Sequence, residues 1–303
     1  MSFEAEVSEF LEALDNGTRH IYACSLKAFR EYYAPRGSIT DFLNRVEEDA
    51  RKPRLQRKHE ARNSLRMFVD WLQRKGCSPK TVRAYVAAVQ SLCRYHELNV
   101  STRYLKMPSD KPVSRKKAWT TEEAAKFVSM IKKPVYRAIA TIAFQSGLGL
   151  GDILALRYGD VKDEFEKGVV PLCLDLSRIK TDVPHLTFIG EWAFSMLRQH
   201  LEGKTLSEQD KLFNVTPRAV DRYFQRVARK FVGEYEGFNP CRIHSLRAAF
   251  RTILADAGMP VDEIEFFMGH QLPEQRRVYM SRTRDGWREL YKSYEWALTP
   301  KNP

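Results

Sequence analysis

The stretch from Arg103 to Lys117 constrains this chain most: it carries Pro108 and Pro112, the basic residues Arg103, Lys106, Lys111, Arg115, Lys116 and Lys117, and the single acid Asp110. Proline breaks regular structure and like charges repel, so residues 103–117 are expected to form an extended basic linker. Residues 1–102 and 118–303 must then bury their apolar surface separately, as two domains. A hydrophobic content of 43% is enough for two packed cores and excludes a mainly disordered chain. No apolar run approaches the roughly 18 residues of a membrane helix. The N-terminus holds Glu4, Glu6, Glu9, Glu12 and Asp15 and no Lys or Arg before Arg19, opposite in charge to a secretory or transit segment. The expectation is a soluble cytoplasmic protein with no membrane partner.

Residues 1–102 read as helical. Val82, Tyr85, Val86, Val89, Leu92 and Cys93 recur at the spacing of one buried helix face, started by Ser78 as a cap and Pro79 at the first helical position. Leu65, Phe68, Val69 and Leu72 form a second stripe, closed by Gly76. Seven basic residues and only Glu60 as an acid lie between Arg51 and Arg66. They form either a solvated face or a phosphate-contacting one.

Residues 118–303 read as mixed. Thr120 and Glu123 form a capping box, and a helix is predicted from about Val135 to Gln145. Val169–Leu176 and Leu186–Ile189 read as strands joined by a turn from Thr181 to Pro184. Beyond Trp192 the pattern is helical again, broken at Asn239-Pro240 and Gly258-Met259-Pro260. The fold class expected is mainly α with a small antiparallel β-sheet.

Fifty Lys and Arg against 38 Asp and Glu leave a formal charge of +12. Such a balance suits a polyanionic partner, nucleic acid above all, or else serves solubility. The five cysteines are scattered and form no CxxC pair, which argues against a zinc ribbon or a disulfide framework and for buried thiols.

The residues with chemistry to offer are His244-Ser-Leu-Arg247 at a helix start, where free amides and the dipole favour an anion, then Gly269-His270, Tyr279 nine residues later, and Lys180 near the predicted turn. Each alone is ordinary. In this order, with Ser146-Gly-Leu-Gly-Leu-Gly-Asp152 ahead of them and Ser78-Pro-Lys-Thr-Val82 in the basic helical half, they resemble the tyrosine recombinase (phage integrase) family. The longer tail after the tyrosine, with Tyr291 and Tyr294, looks more like archaeal members, and the resemblance as a whole suggests an archaeal-type mobile-element integrase.

The resemblance implies a helical core-binding domain that clamps DNA and a mixed catalytic domain. It implies that Tyr279 attacks a phosphodiester and forms a 3′-phosphotyrosyl link, with no metal, cofactor or small-molecule substrate. Arg247 would clamp the phosphate, His244 and His270 would hydrogen-bond it and assist proton movement, and Lys180 would protonate the leaving 5′ oxygen. Double-stranded DNA is the implied partner, held by Arg57, Lys58, Arg83, Arg115, Lys116 and Lys117. A homo-tetramer on two DNA sites is the implied assembly. The apolar face of Trp287–Leu298 is expected to dock on a neighbouring subunit. Tyr291 stands as a reserve nucleophile.

One position departs from the family. Its first box carries an arginine where this chain has Gly149, while Asp152, three residues on, fits the acid that supports the arginine pair. Arg137 or Arg157 could take over. Otherwise the chain is a relative that binds DNA without cutting it, or carries a replacement made to arrest cleavage. A type IB topoisomerase-like relaxing enzyme would share the chemistry without pairing two sites. A metal-dependent nuclease fits least, because no carboxylate cluster accompanies the histidines.

Overall fold

Capping residues start the helices, and apolar stripes decide which face of each is buried. The computed structural model describes residues 4–103, 105–109, 119–177, 184–235, 239–277 and 281–301. The chain divides into two compact units, Met1–Ser114 and Arg115–Pro303. Arg115, Lys116 and Lys117 of the expected linker lie outside the described residues.

In the first unit α1 (Ala5–Glu12), α2 (Asn16–Tyr33), α3 (Ile39–Arg51), α4 (Glu60–Arg74) and α5 (Pro79–Tyr95) share an aromatic core. Phe29 of α2 meets Phe42 of α3 at 4.9 Å and Phe68 of α4 at 5.1 Å, both edge-on. Such pairs contribute about 0.5–1.5 kcal/mol each beyond the area they bury. Ser78 caps α5 by accepting from Thr81 N at 3.2 Å, with Pro79 behind it. On α4 the stripe Leu65, Phe68, Val69 and Leu72 is buried and Arg66 is exposed.

The second unit is built around α7 (Pro134–Ser146), in which every residue from Ala138 to Ser146 is buried. A helix that is buried on all sides belongs at the centre of a core. The small side chains of Ala138, Ala140 and Ala143 let neighbours approach closely. α10 (Glu191–Leu201) and α12 (Ile243–Asp256) pack on it, with α6 (Thr121–Ser129), started by the Thr120–Glu123 capping box, and α8 (Leu150–Ala155) beside them. After α9 (Lys162–Glu166) come two antiparallel strands, β1 (Leu172–Ser177) and β2 (Pro184–Ile189), with Leu172 opposite Ile189 and Ser177 opposite Pro184. The first strand begins three residues later than its pattern suggests, because Pro171 has no N–H for the ladder. Pro184, read as a turn residue, instead opens β2, where a first-position proline is tolerated. α11 (Pro217–Val232), α13 (Val261–Phe267), α14 (Glu274–Arg277) and α15 (Arg284–Leu298) complete the unit. Among the described residues no helix is long and apolar enough to cross a membrane.

Two sequence expectations are corrected here. The tail does not turn its apolar face outward: Trp287, Tyr291 and Leu298 of α15 are buried in the core of their own unit, and only Trp296 stands out, 68% exposed. Gln145 holds the tail in place, donating from Nε2 to Leu298 O at 3.1 Å while its backbone carbonyl accepts from Tyr291 OH at 2.8 Å. Of the thiols, Cys93, Cys173 and Cys241 are buried, but Cys24 is exposed.

Tyr291 is thereby removed as a reserve nucleophile. It is 1% exposed, and burial pushes its phenol well above the usual range, so it neither reaches a phosphate nor ionises. Tyr291→Phe should cost about 1–3 kcal/mol in urea unfolding, because the Gln145 carbonyl loses its buried donor. It should leave DNA chemistry unchanged, and loss of DNA chemistry in a folded Tyr291→Phe protein would refute this assignment.

Candidate active site

Arg247 lies in the first turns of α12 and is 4% exposed. A guanidinium cannot shed its charge, so burial at this depth demands partners on several sides. Two helix ends supply them. Arg247 Nη1 donates to the carbonyl of Gly147, which caps the C-terminus of α7, and Nη2 donates at 2.8 Å to the carbonyl of Met268, which caps α13. Carbonyls at helix C-termini lack intrahelical donors and carry the negative end of the dipole, so the cation is held where two such ends converge.

The Gly269-His270 pair is a helix terminator before it is anything else. Gly269 N donates to Phe266 O at 2.8 Å and His270 N to Glu265 O at 3.0 Å, the paired bonds of a Schellman turn. The turn needs a left-handed residue, and Gly269 has φ +63 with the His185 ring 2.9 Å from where a Cβ would sit. The residue after that glycine is thrown back toward α12. His270 Nε2 consequently lies 2.8 Å from Arg247 Nη2, and His270 Nδ1 meets the Glu265 carboxylate.

These contacts decide the tautomer. Arginine only donates, so His270 Nε2 must carry the lone pair and Nδ1 the proton that goes to Glu265. Glu265 also accepts from Arg251 Nε at 2.5 Å, one helical turn beyond Arg247. Burial alone would raise the Glu265 carboxyl, but the bonds from His270 and Arg251 outweigh it and hold the group below its ordinary 4.5. The chain Arg251–Glu265–His270–Arg247 joins α12 to the end of α13.

A pH dependence follows. Because the Glu265 pKa is lower in the folded chain, its stabilisation is complete above about 4.5, the ordinary value, and is lost as pH falls through the folded value. Glu265→Gln should cost about 1–3 kcal/mol at pH 7. The gap between the two proteins should close as urea titrations move from pH 6 to pH 3. A gap independent of pH would contradict the ionised assignment.

His244 sits on the same first turn as Arg247 but is exposed, so the two do not share one environment. Gly149 caps the N-terminus of α8 with an ordinary φ of −78, and among the described residues a Cβ there would meet only the Asp152 carboxylate, at 3.2 Å. Asp152 itself is buried. Neither arginine considered as a replacement is at hand. Arg137 spends Nε and Nη2 on Ile131 O at 3.1 and 2.9 Å, near the opposite end of α7 from Gly147. Arg157 is exposed and donates to Gln209 O. Tyr279 and Lys180 lie outside the described residues, as do the linker cations Lys111, Arg115, Lys116 and Lys117.

Arg57, Lys58 and Arg83 are all exposed, with Arg57 Nε donating to Lys52 O at 2.9 Å and Arg83 Nη2 to Pro108 O at 3.1 Å. Sequence reasoning missed a larger basic surface. Arg218, Arg222 and Arg226 repeat at every fourth residue along the exposed side of α11, and Arg229 and Lys230 continue it. Like charges at this spacing destabilise a helix by roughly 0.2–0.5 kcal/mol per pair, so a row spanning ~18 Å opposes folding rather than assisting it. The four-residue repeat was the available signal. Glu265 and Arg251 were missed as well, although Glu265 stands at the spacing a Schellman turn brings back onto His270.

Folds of this kind recur among DNA recombinases. The structure matches a lambda integrase dimer bound to a COC′ core site with a TM-score of 0.62 at 14% identity, covering 93% of this chain and 96% of that one. It matches the post-cleavage complex of XerH site-specific recombinase on a palindromic difH substrate with a TM-score of 0.56 at 16% identity, covering 91% and 80%. The fold is that of the tyrosine recombinases. Within that class the chain belongs to the phage integrase family, whose model matches residues 117–284, more than half of its length. Tyrosine recombinase XerA of Saccharolobus solfataricus is 23% identical over 273 residues, 88% of this chain and 87% of that protein.

Proposed function

We propose that this protein is a site-specific DNA recombinase that cuts and rejoins duplex DNA through a 3′-phosphotyrosyl link at Tyr279, with cleavage slowed by the absence of an arginine at Gly149. The observation that supports this most is the clasp on Arg247, a buried, fixed cation beside a histidine of defined tautomer. Breaking a phosphodiester without a metal requires charge stabilisation on the non-bridging oxygens, and a preorganised guanidinium supplies it.

In the forward step the Tyr279 oxygen bonds to phosphorus as the bond to the 5′ oxygen breaks. His270 Nε2 is released by Arg247 Nη2 as that guanidinium turns to the phosphate and takes the phenolic proton on its lone pair, and the resulting imidazolium stays paired with Glu265. Lys180 donates a proton to the departing 5′ oxygen. Rejoining reverses each transfer. His244, exposed on the helix start, hydrogen-bonds the phosphate, and Asp152 supports the position at Gly149. The unit Met1–Ser114 acts as a DNA clamp joined by the basic linker to the catalytic unit, and four copies act on two sites in the cytoplasm.

DNA binding rests on Arg57, Lys58, Arg83, the linker cations and the row on α11. Because phosphate contacts release counterions, affinity for duplex DNA should fall roughly 10³-fold or more between 50 and 200 mM salt. A flat response would overturn the clamp. A second reading, a relative that binds DNA without cutting it, is favoured by Gly149 alone. It predicts the same salt response with no protein–DNA adduct, even when the arginine is supplied.

A further inference from the structure

The loop between α3 and α4 presents Leu55 fully exposed, at 102% of its reference surface, on a one-turn helix Arg54–Gln56. A single exposed leucine is ordinary, but this one is rigidly mounted and ringed by cations. The buried carboxylate of Asp49 accepts from Lys58 N at 2.6 Å and Glu60 N at 3.0 Å, closing the base of the loop. Asn63 Nδ2 donates to Lys58 O at 2.8 Å, and Arg57 Nε to Lys52 O at 2.9 Å, so the two limbs are tied together. Arg51, Lys52 and Arg54 precede Leu55, and Arg57 and Lys58 follow it; all are exposed, and of these Arg51 pairs with Glu47.

The partner of such a surface must offer rows of negative charge with an apolar floor between them. A duplex groove has that form: phosphates line its walls and base edges form its floor. A protein interface would disfavour the lysines. We infer that this loop enters a groove of duplex DNA, its cations on the two phosphate rows and Leu55 against the bases, partly unstacking the step it touches. The inference rests on the DNA-binding reading above and adds a base-contacting element to it.

The test uses the full chain, duplexes carrying 2-aminopurine at successive positions, and salt titrations of affinity. Leu55→Ala should weaken binding roughly tenfold, the scale of exposing a leucine's apolar surface. It should also abolish the fluorescence rise at one step of the duplex while leaving the salt slope unchanged. The double variant Arg54→Ala/Arg57→Ala should lower the salt slope by about 1.8. Unchanged affinity and fluorescence in Leu55→Ala, with salt-sensitive binding intact, would overturn the groove contact alone. If the parent chain shows no salt-sensitive binding, the DNA-binding reading falls with it. A Leu55→Ala protein that changes only self-association would make the loop a contact between copies.

Discussion

Gly149→Arg should convert a protein that leaves few or no covalent products into one that accumulates protein-linked DNA. Mixed with supercoiled or nicked DNA and denatured in detergent, the arginine variant should form adducts about 10²–10³ times faster than the parent, the effect of one transition-state donor worth ~3–4 kcal/mol. The backbone permits it. At φ −78 and ψ 157 any L-residue is at ease, and among the described residues the only atom near a new Cβ is the Asp152 carboxylate oxygen at 3.2 Å, itself a natural partner for a guanidinium. Arg137 and Arg157 do not stand in, since each donates to a carbonyl elsewhere. Tyr279→Phe in the Gly149→Arg background should abolish the adducts. Adducts from the parent at the variant's rate would mean that another group performs the arginine's work. Their absence from both, with DNA binding retained on a cognate site, would favour the non-cutting relative.

Two residues away, at the end of the preceding helix, a substitution should act in the opposite sense. Gly147→Ala should destabilise the chain by roughly 2–5 kcal/mol, because Gly147 has φ +67 and a Cβ would lie 2.6 Å from Cδ1 of Phe250. Its carbonyl is also one of the two that hold Arg247, so the shift needed to relieve the clash moves the clasp. Gly149→Ala, by contrast, should stay within about 1 kcal/mol of the parent, since the backbone is at ease and, among the described residues, only the Asp152 carboxylate has to give slightly. Urea midpoints of the pair would decide it. Equal destabilisation would mean that Gly149 has a conformational role, and the account of a simply absent side chain would be wrong.

Much of the site was legible because its elements are local. The order His244, Arg247, Gly269-His270 could be read from spacing alone, since a helix start and a glycine-terminated helix end are determined over a few residues. The helical first unit and the two-stranded sheet were legible for the same reason. Glu265 was not. It looks like one more acid on a surface helix until the turn at Gly269 brings His270 back over it. The row on α11 went unread, although its four-residue repeat was there to be seen, because the repeat becomes one exposed side only once the helix has docked its other face.

What the sequence by itself determined was the family, through the ordered set His244, Arg247, Gly269-His270 and Tyr279 that carries the resemblance, and the departure from its pattern at Gly149. Tertiary structure alone decided the rest. It turned Trp287 and Tyr291 inward, so that the tail belongs to its own core and Tyr291 cannot attack. It sent Arg137 and Arg157 to distant carbonyls. It gathered the ends of α7 and α13 around Arg247. The physical reason is that periodicity reports which face of an element is apolar, whereas the partner of a buried charge depends on where other elements end. That information exists only once the helices are packed.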